Sequence, residues 1–460
     1  MSSPLSSSIF REYDIRGVVP QELNVDTIAL IAKAFGTHLR SLGLKTISVG
    51  GDVRTHTREL MDSFIAAINS TGIDVIDIGA VTSPLCYFSA FHLPVDGIAM
   101  ITASHNPKQY NGIKLGVGKT TMFGAEITHI RDIALAGKFA TGAGTTRTQD
   151  ITEDYIELIA SKFKLSRPIK VVYDPANAAG ALYGTRLFQR LGVQLVSLYD
   201  TVDGTFPSHH PDPTVAENVT DLGKKVVELG YEVGFGLDGD GDRVGVVDEN
   251  GTLIPGDLLT LIYAKDILKD LPGSKIIYEV KSSMALEEEI SAAGGVPILW
   301  KVGHSLLKKK MAEENAPLAG ELSGHVFFAD RWFGYDDALY AACRMLEIMD
   351  KTGKKPTELL AGVPRYFNTP EIRCGCDDDD EKFRIANEAI AYFKSKYKVI
   401  DIDGVRILFG DGWGLMRASN TQPSLVTRFE ARTPERLEEI KNEVLNKLQE
   451  FGHIQIGMSH

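Results

Sequence analysis

Three aspartates at alternate positions form the most specific chemical pattern in the chain. The stretch LDGDGDRVG places Asp238, Asp240 and Asp242 on a glycine-containing turn between two apolar runs. Three carboxylates this close repel one another unless a cation lies among them, and their hard oxygen atoms suit Mg²⁺ or Ca²⁺. A calcium-binding EF-hand is disfavoured, because Arg243 stands where that loop needs glycine and the flanking runs are typical of strands. We therefore expect a magnesium site, with a hydrated acidic turn as the alternative.

A serine at the end of an apolar run is the second chemical signal. The stretch GIAMITASHNPKQYNGIKLG predicts a buried strand that opens into a loop displaying Ser104 and His105. A serine in this place is suited to act as a nucleophile or to carry a phosphoryl group, and a turn stabilised by its hydroxyl is the alternative. No G-x-S-x-G elbow surrounds it, which disfavours a serine hydrolase. Lys114, on the strand that leaves the loop, is placed to reach the same phosphoryl group.

Two further stretches contain residue types that bind sugars and phosphates. In LAGELSGHVFF, Glu321, Ser323 and His325 alternate and so share one face of an extended segment. A carboxylate and a hydroxyl there suit sugar hydroxyls, and a histidine suits acid–base catalysis. In RASNTQPSLVTRFEA, polar groups suited to hold a phosphate precede a strand that carries Arg428; they are Arg417, Ser419, Asn420 and Thr421. An ordinary polar turn is the alternative in both cases.

A repeated pattern predicts the elements that position these motifs. Three times, a β-branched run leads through a polar turn to an amphipathic helix, a glycine and another apolar run. The copies begin at TISVGGDVR, IKVVYDPAN and KIIYEVKSS, and they end at IDVIDIG, VQLVSLY and VPILW. This spacing is typical of a strand, a helix and a return strand, and it predicts three related α/β domains in tandem.

The segment after Pro364 has a different pattern, which predicts a smaller C-terminal α+β domain. An acidic cluster, CDDDDEK at 376–382, precedes a helical pattern, a strand–turn–strand stretch and a charged helix. We expect the acidic cluster to be a solvated turn, with metal binding as the alternative. The predicted domains cover 1–150 with the serine loop, 151–252 with the aspartate turn, 253–366 with the sugar-binding stretch and 367–460 with the phosphate-binding stretch.

The composition and charge of the chain exclude several classes of protein. Its 460 residues suggest two to four domains, and its 43% apolar and 24% charged residues are typical of a globular protein rather than a disordered one. The net charge of −12 argues against nucleic acid or an anionic membrane as a partner. A phosphorylated small molecule remains compatible with it, because a few local Arg and Lys residues suffice to bind one phosphate.

The cysteines and the N-terminal sequence indicate a compartment. Cys374 and Cys376 are separated by a single residue, too close for an ordinary structural disulfide. The start MSSPLSSSIFREYDIRG lacks the basic and apolar regions of a signal peptide, and no run of 18 apolar residues occurs. We therefore expect a cytoplasmic protein without a membrane span, and we expect a monomer.

Taken in order, FREYDIRG, TASHNP, NGIK, DGDGDR, GELSGH and RASNTQP resemble the motifs of the α-D-phosphohexomutases, most closely the bacterial phosphomannomutase/phosphoglucomutase group. The resemblance covers essentially the whole chain. It implies three three-layer αβα domains with mixed sheets and a smaller C-terminal α+β domain around a central cleft. The implied activity is that of an isomerase, which interconverts hexose 1-phosphate and hexose 6-phosphate through a phosphoserine and a hexose 1,6-bisphosphate that also serves as primer.

The resemblance also implies roles for individual residues. Ser104 would carry the phosphoryl group, and the three aspartates, with an oxygen of that phosphoserine, would hold one Mg²⁺ per chain. The residues implied around the reacting phosphoryl group are His105, Lys114, Arg243, Arg16 and Tyr13. Those implied for the substrate are Glu321 and Ser323 at the sugar hydroxyls, His325 as a candidate acid or base, Lys281 and His304 as further contacts, and Arg417, Ser419, Asn420 and Thr421 at the distal phosphate.

Two alternatives remain open beside this activity. The sugar motif departs from the common GEMSGH at Leu322, and phosphoglucosamine mutase is disfavoured because its sugar loop more often carries glutamine there. From another class, a magnesium-dependent sugar-phosphate-binding protein without turnover would keep the same motifs. The preference between glucose and mannose depends on the 2-hydroxyl, away from the pair Glu321 and Ser323, and the sequence leaves it open.

Overall fold

The structure is a computed structural model that describes residues 5–419 and 423–457. These residues form two compact units. Unit 1 contains the described residues up to Leu259 together with Ser323–Leu359, and unit 2 contains Thr260–Leu322 together with the described residues from Leu360 onward. Within the described ranges, no helix is both long and apolar enough to cross a membrane.

The first part of unit 1 is a mixed sheet with helices. Its strand order is β1-β5-β4-β2-β3-β7, with β6 paired to β5. Strands β4, β2, β3 and β7 are parallel neighbours, whereas β5 runs antiparallel to both β1 and β4. The elements are β1 (Ile15–Val18), α1 (Val25–Ser41), β2 (Thr46–Gly51), α2 (Thr57–Asn69), β3 (Asp74–Ala80), α3 (Ser83–His92), β4 (Gly97–Ile101), β5 (Tyr110–Val117), β6 (Thr120–Thr121), α4 (Ala125–Ala136) and β7 (Thr146–Thr148).

The second part of unit 1 contains another mixed sheet, ordered β12-β11-β10-β8-β9. Strands β10, β8 and β9 are parallel, and β11 and β12 continue the sheet in antiparallel pairs. The elements are α5 (Thr152–Ser161), β8 (Lys170–Asp174), α6 (Gly184–Arg190), β9 (Gln194–Ser197), α7 (Thr220–Leu229), β10 (Val233–Leu237), β11 (Val244–Val247) and β12 (Leu253–Ile254).

The next stretch of chain supplies residues to both units. In unit 2, strand β13 lies between β14 and β15 and is parallel to both. The elements are α8 (Gly256–Asp270), β13 (Lys275–Glu279), α9 (Met284–Ala292), β14 (Val296–Trp300), α10 (His304–Glu314), β15 (Leu318–Gly320), β16 (Val326–Phe328), α11 (Ala338–Thr352) and α12 (Pro356–Leu359).

The three predicted repeats are found as strand–helix–strand units with parallel strands. They are β2-α2-β3, β8-α6-β9 and β13-α9-β14, and the two strands of each unit are direct neighbours in a sheet. The apolar runs of the first strand in each unit, β2, β8 and β13, are buried, as expected of parallel strands covered by helices. Because the carboxyl ends of parallel strands share one edge, the loops that follow them meet there.

The C-terminal part of unit 2 is an antiparallel sheet packed against two helices. The sheet order is β19-β20-β21-β22-β18-β23, with β17 paired to β22. Apolar residues of both helices and of the sheet share one core. The elements are β17 (Phe367–Asn368), β18 (Ile372–Gly375), α13 (Asp379–Lys396), β19 (Lys398–Ile400), β20 (Val405–Leu408), β21 (Gly412–Ala418), β22 (Ser424–Ala431), α14 (Pro434–Phe451) and β23 (Gln455–Ile456).

The acidic cluster predicted as a solvated turn belongs largely to a helix. Asp378 is the N-cap of α13 and accepts the Glu381 amide, and Asp379, Asp380 and Glu381 form the first turn. Negative side chains are favourable at this end of a helix, because the amide groups there lack partners and the helix dipole is positive. The cluster therefore stabilises a helix start.

Within unit 2, charged side chains of the C-terminal sheet hold the loop between β13 and α9. Arg406 donates to the carbonyl groups of Val280 and Ser282 at 2.6 and 2.9 Å, and Arg428 donates to that of Lys281 at 2.8 Å. Glu430 accepts the amide of Met284 and the indole N–H of Trp413, both at 2.8 Å. The segments predicted as a third and a fourth domain thus share buried charged contacts in this unit.

A buried arginine fixes the loop between β4 and β5, which carries the candidate nucleophile. Arg54, 2% exposed, follows β2 and forms an ion pair with Asp52, and Asp52 also accepts the hydroxyl of Thr102 at 2.7 Å. The guanidinium donates at 2.6 to 3.3 Å to four loop carbonyl groups, those of Ser104, Asn106, Pro107 and Tyr110. One side chain therefore satisfies backbone acceptors along the whole loop.

We expect Arg54→Met to destabilise the protein by about 3–5 kcal/mol, because the substitution leaves Asp52 buried without its cation and removes the donors of the loop carbonyl groups. Urea denaturation measures the change in the free energy of unfolding.

The matched control is Arg58→Met on α2. The Arg58 side chain is 53% exposed and forms ion pairs with Asp62 and Asp77, so its loss should cost no more than about 1 kcal/mol. Equal losses in the two variants would contradict the role assigned to Arg54.

Candidate active site

Ser104 lies in a constrained backbone position directly after β4. Its φ of 51° is in the left-handed region, which costs free energy in residues other than glycine, and its side chain is buried. The amide donates to Thr102 Oγ1 at 2.9 Å, and the carbonyl accepts from Arg54 at 2.7 Å. Its hydroxyl donates to Asp238 Oδ2 at 2.8 Å. The loop therefore holds the serine against the first of the three aspartates.

The three aspartates follow β10 on a tight turn, and all three are buried. Asp238 Oδ1 accepts the amides of Asp242 and Arg243, both at 3.1 Å, which closes the turn on itself. Glycine is required at position 239, since a Cβ there would lie 2.3 Å from the carbonyl oxygen of Ser104. The serine loop and the aspartate turn thus approach at a distance that only glycine permits.

Lys114, on β5, is the counter-charge of the cluster. Its ammonium lies 2.7 Å from Asp240 Oδ2 and 2.6 Å from Asp242 Oδ2, and 3.3 Å from the hydroxyl of Ser83. Burial opposes the charge, but the carboxylates of Asp240 and Asp242 raise the pKa of Lys114 well above its usual value. The lysine is therefore positively charged at neutral pH.

The charge balance of the cluster fits a bound cation. Burial and the carboxylates of Asp240 and Asp242 raise the pKa of Asp238 well above its usual value. Asp240 Oδ1 is buried and has no hydrogen-bond partner in the described part of the chain. One oxygen of each aspartate lies within 4.8 Å of the others. Hard oxygen donors with this surplus of negative charge suit a divalent cation such as Mg²⁺, so the residues fit the metal predicted from the sequence.

His325 is held between a cation and a carboxylate. Arg243 Nε donates to His325 Nε2 at 2.9 Å, and His325 Nδ1 lies 2.9 Å from Asp336 Oδ2 and 3.6 Å from Asp242 Oδ1. Because Nε2 accepts, the ring proton is on Nδ1 and faces the carboxylates. This arrangement fixes the orientation of the His325 ring.

Of the other predicted residues of unit 1, His105 and Arg16 make contacts within or with the serine loop. His105 Nδ1 is 3.1 Å from the hydroxyl of Ser104. Burial, with the nearby charges of Arg243 and Arg16, lowers the pKa of His105 well below its usual value, so it is neutral at pH 7. Arg16, on β1, donates to Asn106 Oδ1 at 2.8 Å and forms an ion pair with Asp14. Tyr13 is partly buried and precedes β1.

Unit 2 contains three of the predicted substrate-contacting residues, Lys281, His304 and Glu321, after the carboxyl ends of its parallel strands. Glu321 follows β15, and its Oε1 accepts the amide of Gly303 at 2.8 Å, directly before His304 and α10. Lys281 follows β13 and lies 2.7 Å from Glu371 Oε1. Ser323 lies two residues beyond Glu321, in the part of the chain assigned to unit 1.

The predicted phosphate-binding stretch is partly described. Arg417 is the penultimate residue of β21, and its Nε donates to Asp403 Oδ2 at 3.1 Å. The same oxygen also accepts the amide of Val302. The carbonyl of Ser419 accepts from Lys382 at 2.9 Å. The predicted contacts Asn420 and Thr421 lie outside the described residues.

Several site residues were missed by the sequence analysis. Arg54 and Glu279 lie at or just beyond the carboxyl end of a buried parallel strand, and Asp336 lies between β16 and α11. A charged residue at the end of an apolar run was the available signal for the first two. For Asp336 the sequence offered no such signal. Its neighbour Asp337 caps α11, so an Asp-Asp pair at this point indicates only the start of a helix.

The chain matches four known family models, one for each of four successive segments. Family models for phosphoglucomutase/phosphomannomutase match in chain order: alpha/beta/alpha domain I at 7–141, domain II at 153–251, domain III at 255–366 and the C-terminal domain at 371–447. The matches confirm the predicted fold class of three αβα domains and a C-terminal domain.

Relatives match over almost the full length. A phosphomannomutase/phosphoglucomutase from Pseudomonas aeruginosa is 42% identical over 447 residues, 97% of this chain and 96% of the relative. A phosphoglucomutase from Neisseria meningitidis serogroup A is 39% identical, covering 95% of this chain and 96% of the relative. The crystal structure of a phosphoglucomutase/phosphomannomutase family protein from Burkholderia thailandensis has a TM-score of 0.92 at 38% identity, covering 98% of this chain and 99% of that one. The resemblance seen in the motifs is confirmed: the chain belongs to the phosphoglucomutase/phosphomannomutase family of isomerases.

Proposed function

We propose that the protein interconverts hexose 1-phosphate and hexose 6-phosphate, with glucose, mannose or both as the sugar, through phospho-Ser104 and a hexose 1,6-bisphosphate. The observation that carries the proposal is the hydroxyl of Ser104, 2.8 Å from Asp238, beside a buried cluster of carboxylates with Lys114 as counter-charge. Phosphoryl transfer depends on charge neutralisation and positioning, and this cluster supplies both.

In the proposed reaction, the free 1- or 6-hydroxyl of the substrate attacks the phosphorus of phospho-Ser104. The new oxygen–phosphorus bond forms as the bond to Ser104 Oγ breaks. The substrate hydroxyl gives its proton to a base, for which we propose His325, and the departing Ser104 Oγ takes up one proton to become a hydroxyl again. Arg243 and Lys114 stabilise the charge on the phosphoryl oxygens. Mg²⁺, held by Asp238, Asp240, Asp242 and the phosphoserine, would neutralise part of the same charge.

The bisphosphate then turns end over end, and its other phosphoryl group returns to Ser104. Such a turn needs side chains that accept either orientation of the sugar and either phosphate. We assign the hydroxyl-binding role to Glu321 and Ser323. The remaining proposed contacts are His105, Arg16, Tyr13, Lys281 and His304, and those at the distal phosphate are Arg417, Ser419, Asn420 and Thr421.

Further properties of the protein follow from the same proposal. We propose one Mg²⁺ per chain, a hexose 1,6-bisphosphate as primer, and action as a cytoplasmic monomer. We propose the domain bounds 1–150, 151–252, 253–366 and 367–460, and the four matched family models support them. Hexose phosphates, rather than nucleic acid or membranes, are the proposed partners.

The substrate is tested by comparing glucose 1-phosphate, mannose 1-phosphate and glucosamine 1-phosphate, with glucose 1,6-bisphosphate as primer and Mg²⁺ present. We expect turnover of glucose or mannose 1-phosphate. Preference for glucosamine 1-phosphate would replace the proposal by a phosphoglucosamine mutase, and binding without turnover of any of the three would indicate a non-catalytic protein.

Ser104→Ala should reduce mutase turnover at least about 10³-fold, because no other group accepts the phosphoryl group. Mass spectrometry of the wild-type protein treated with glucose 1,6-bisphosphate should place the phosphate on the peptide that contains Ser104. The control is Ser63→Ala, whose hydroxyl bonds to the Val25 carbonyl on an exposed face, and it should keep full turnover. Full activity of Ser104→Ala would exclude the phosphoserine role.

Asp240→Asn should raise the Mg²⁺ concentration needed for half-maximal turnover at least about tenfold, because one charged oxygen ligand is lost. Titration of activity with Mg²⁺ measures this shift, and circular dichroism reports the fold. Asp62→Asn removes an exposed carboxylate on α2 and should leave the titration unchanged. An unfolded Asp240→Asn protein would instead assign Asp240 a structural role.

A further inference from the structure

Glu279, the last residue of β13, is a fully buried carboxylate that the mechanism does not use. Its Oε1 accepts the amide of Leu322 at 2.7 Å. Leu322 lies in sequence between Glu321 and Ser323, the proposed sugar-binding pair. A buried carboxylate therefore holds the peptide group that joins Glu321 to Leu322, directly before Ser323.

The geometry of the sheet explains this contact. Strands β13 and β15 are parallel neighbours, with Tyr278 opposite Gly320, so Glu279 at the end of one strand meets the chain as it leaves the other. The next contact along the edge is from Glu321 Oε1 to the amide of Gly303, which precedes α10. Two carboxylates thus fix successive segments along the same strand edge.

The charge of Glu279 is balanced by one cation. Lys281 Nζ lies 3.6 Å from Glu279 Oε2 and 2.7 Å from Glu371 Oε1. The carbonyl of Lys281 is in turn held by Arg428 at 2.8 Å. Lys281, proposed as a further substrate contact, therefore shares its charge between Glu279 and Glu371.

We propose that Glu279 is a positioning residue that sets the segment Glu321–Ser323 for a hexose phosphate, and that its ionised form does so better than its protonated form. The proposal rests on the proposed function, because that function assigns the sugar to this segment. An ionised carboxylate makes a stronger hydrogen bond to an amide than a protonated one, so ionised Glu279 holds Leu322 more firmly.

The ionisation falls in an accessible pH range. Burial raises the pKa of Glu279 to about 7, the charge of Lys281 opposes this rise, and Glu321 and Glu371 add to it. These groups face Glu279 from the loop after β13, from the end of β15 and from the segment before β18. Because Glu279 gains its negative charge as the pH rises through about 7, positioning should improve on the alkaline side.

Glu279→Gln provides the test, since glutamine keeps an acceptor oxygen but resembles the protonated acid at every pH. We expect kcat/KM for hexose 1-phosphate to match the wild type within about twofold at pH 6 and to fall about fivefold to tenfold below it at pH 8.5, mainly through KM. Ionisation of the substrate phosphate affects kcat/KM of both proteins equally, so its effect cancels in the ratio of the variant's kcat/KM to that of the wild type. Glu287→Gln, an exposed acid on α9, is the control and should give a ratio near one throughout.

Binding of glucose 1-phosphate, measured by calorimetry on the full chain at both pH values, separates the two proposals. A pH-dependent loss of affinity in Glu279→Gln supports the positioning role even if the wild type shows no turnover, which would overturn the proposed function alone. A ratio that does not change with pH overturns the positioning role and leaves the function standing.

Glu279→Asp covers the case in which the glutamine variant does not fold. It keeps the charge but shortens the reach to Leu322, so affinity should fall at both pH values, and more at pH 8.5, where the wild-type carboxylate is ionised. Wild-type affinity in a folded Glu279→Asp protein overturns the proposal.

Discussion

Repulsion among buried carboxylates is the constraint on which the candidate site depends. Asp238, Asp240 and Asp242 are all buried on one turn, and three kinds of interaction stabilise them there. The ammonium of Lys114 contacts two of them, the hydroxyls of Ser83 and Ser104 donate to Asp240 and Asp238, and backbone amides close the turn. The residual negative charge is what makes the turn suitable for a cation. The candidate nucleophile is positioned by that same charge, because its hydroxyl donates to one of the three carboxylates.

Unit 2 shows a milder form of the same arrangement. Burial raises the pKa of Glu279, and the nearby carboxylate of Glu321 raises it further. The charge of Lys281 acts in the opposite direction. In both units the acidic side chains follow parallel strands, where loops from one sheet edge converge. The protein is acidic overall, but the basic side chains of Lys114 and Lys281 lie beside these carboxylates, where we propose that an anionic substrate binds.

The sequence predicted the βαβ repeats, the C-terminal α+β fold and the family, because each depends on local periodicity or on short contiguous motifs. The family resemblance implied that Ser104, Lys114 and the aspartates surround one phosphoryl group. In the structure Ser104 contacts Asp238, and Lys114 contacts the other two aspartates. The sequence analysis missed Arg54, whose role depends on carbonyl groups more than 50 positions away in sequence, and it missed Asp336 and Glu279. Their partners are set by which strands are neighbours, a property that a single sequence does not encode locally. The prediction that the acidic cluster at 376–382 forms a turn was wrong. Asp378 caps α13, and the acidic residues that follow it form the first turn of that helix.

The buried charges between the C-terminal sheet and the β13–α9 loop have a consequence for how this chain can be recombined. Arg406 and Glu430 find their partners in a segment about a hundred or more residues upstream, and Trp413 shares a small apolar cluster with Val280. A C-terminal fragment produced alone would carry unpartnered charges and an uncovered indole on one face. Such a fragment is therefore a poor unit of exchange between related genes, whereas a graft that keeps Thr260–Leu322 with the C-terminal segment preserves these contacts.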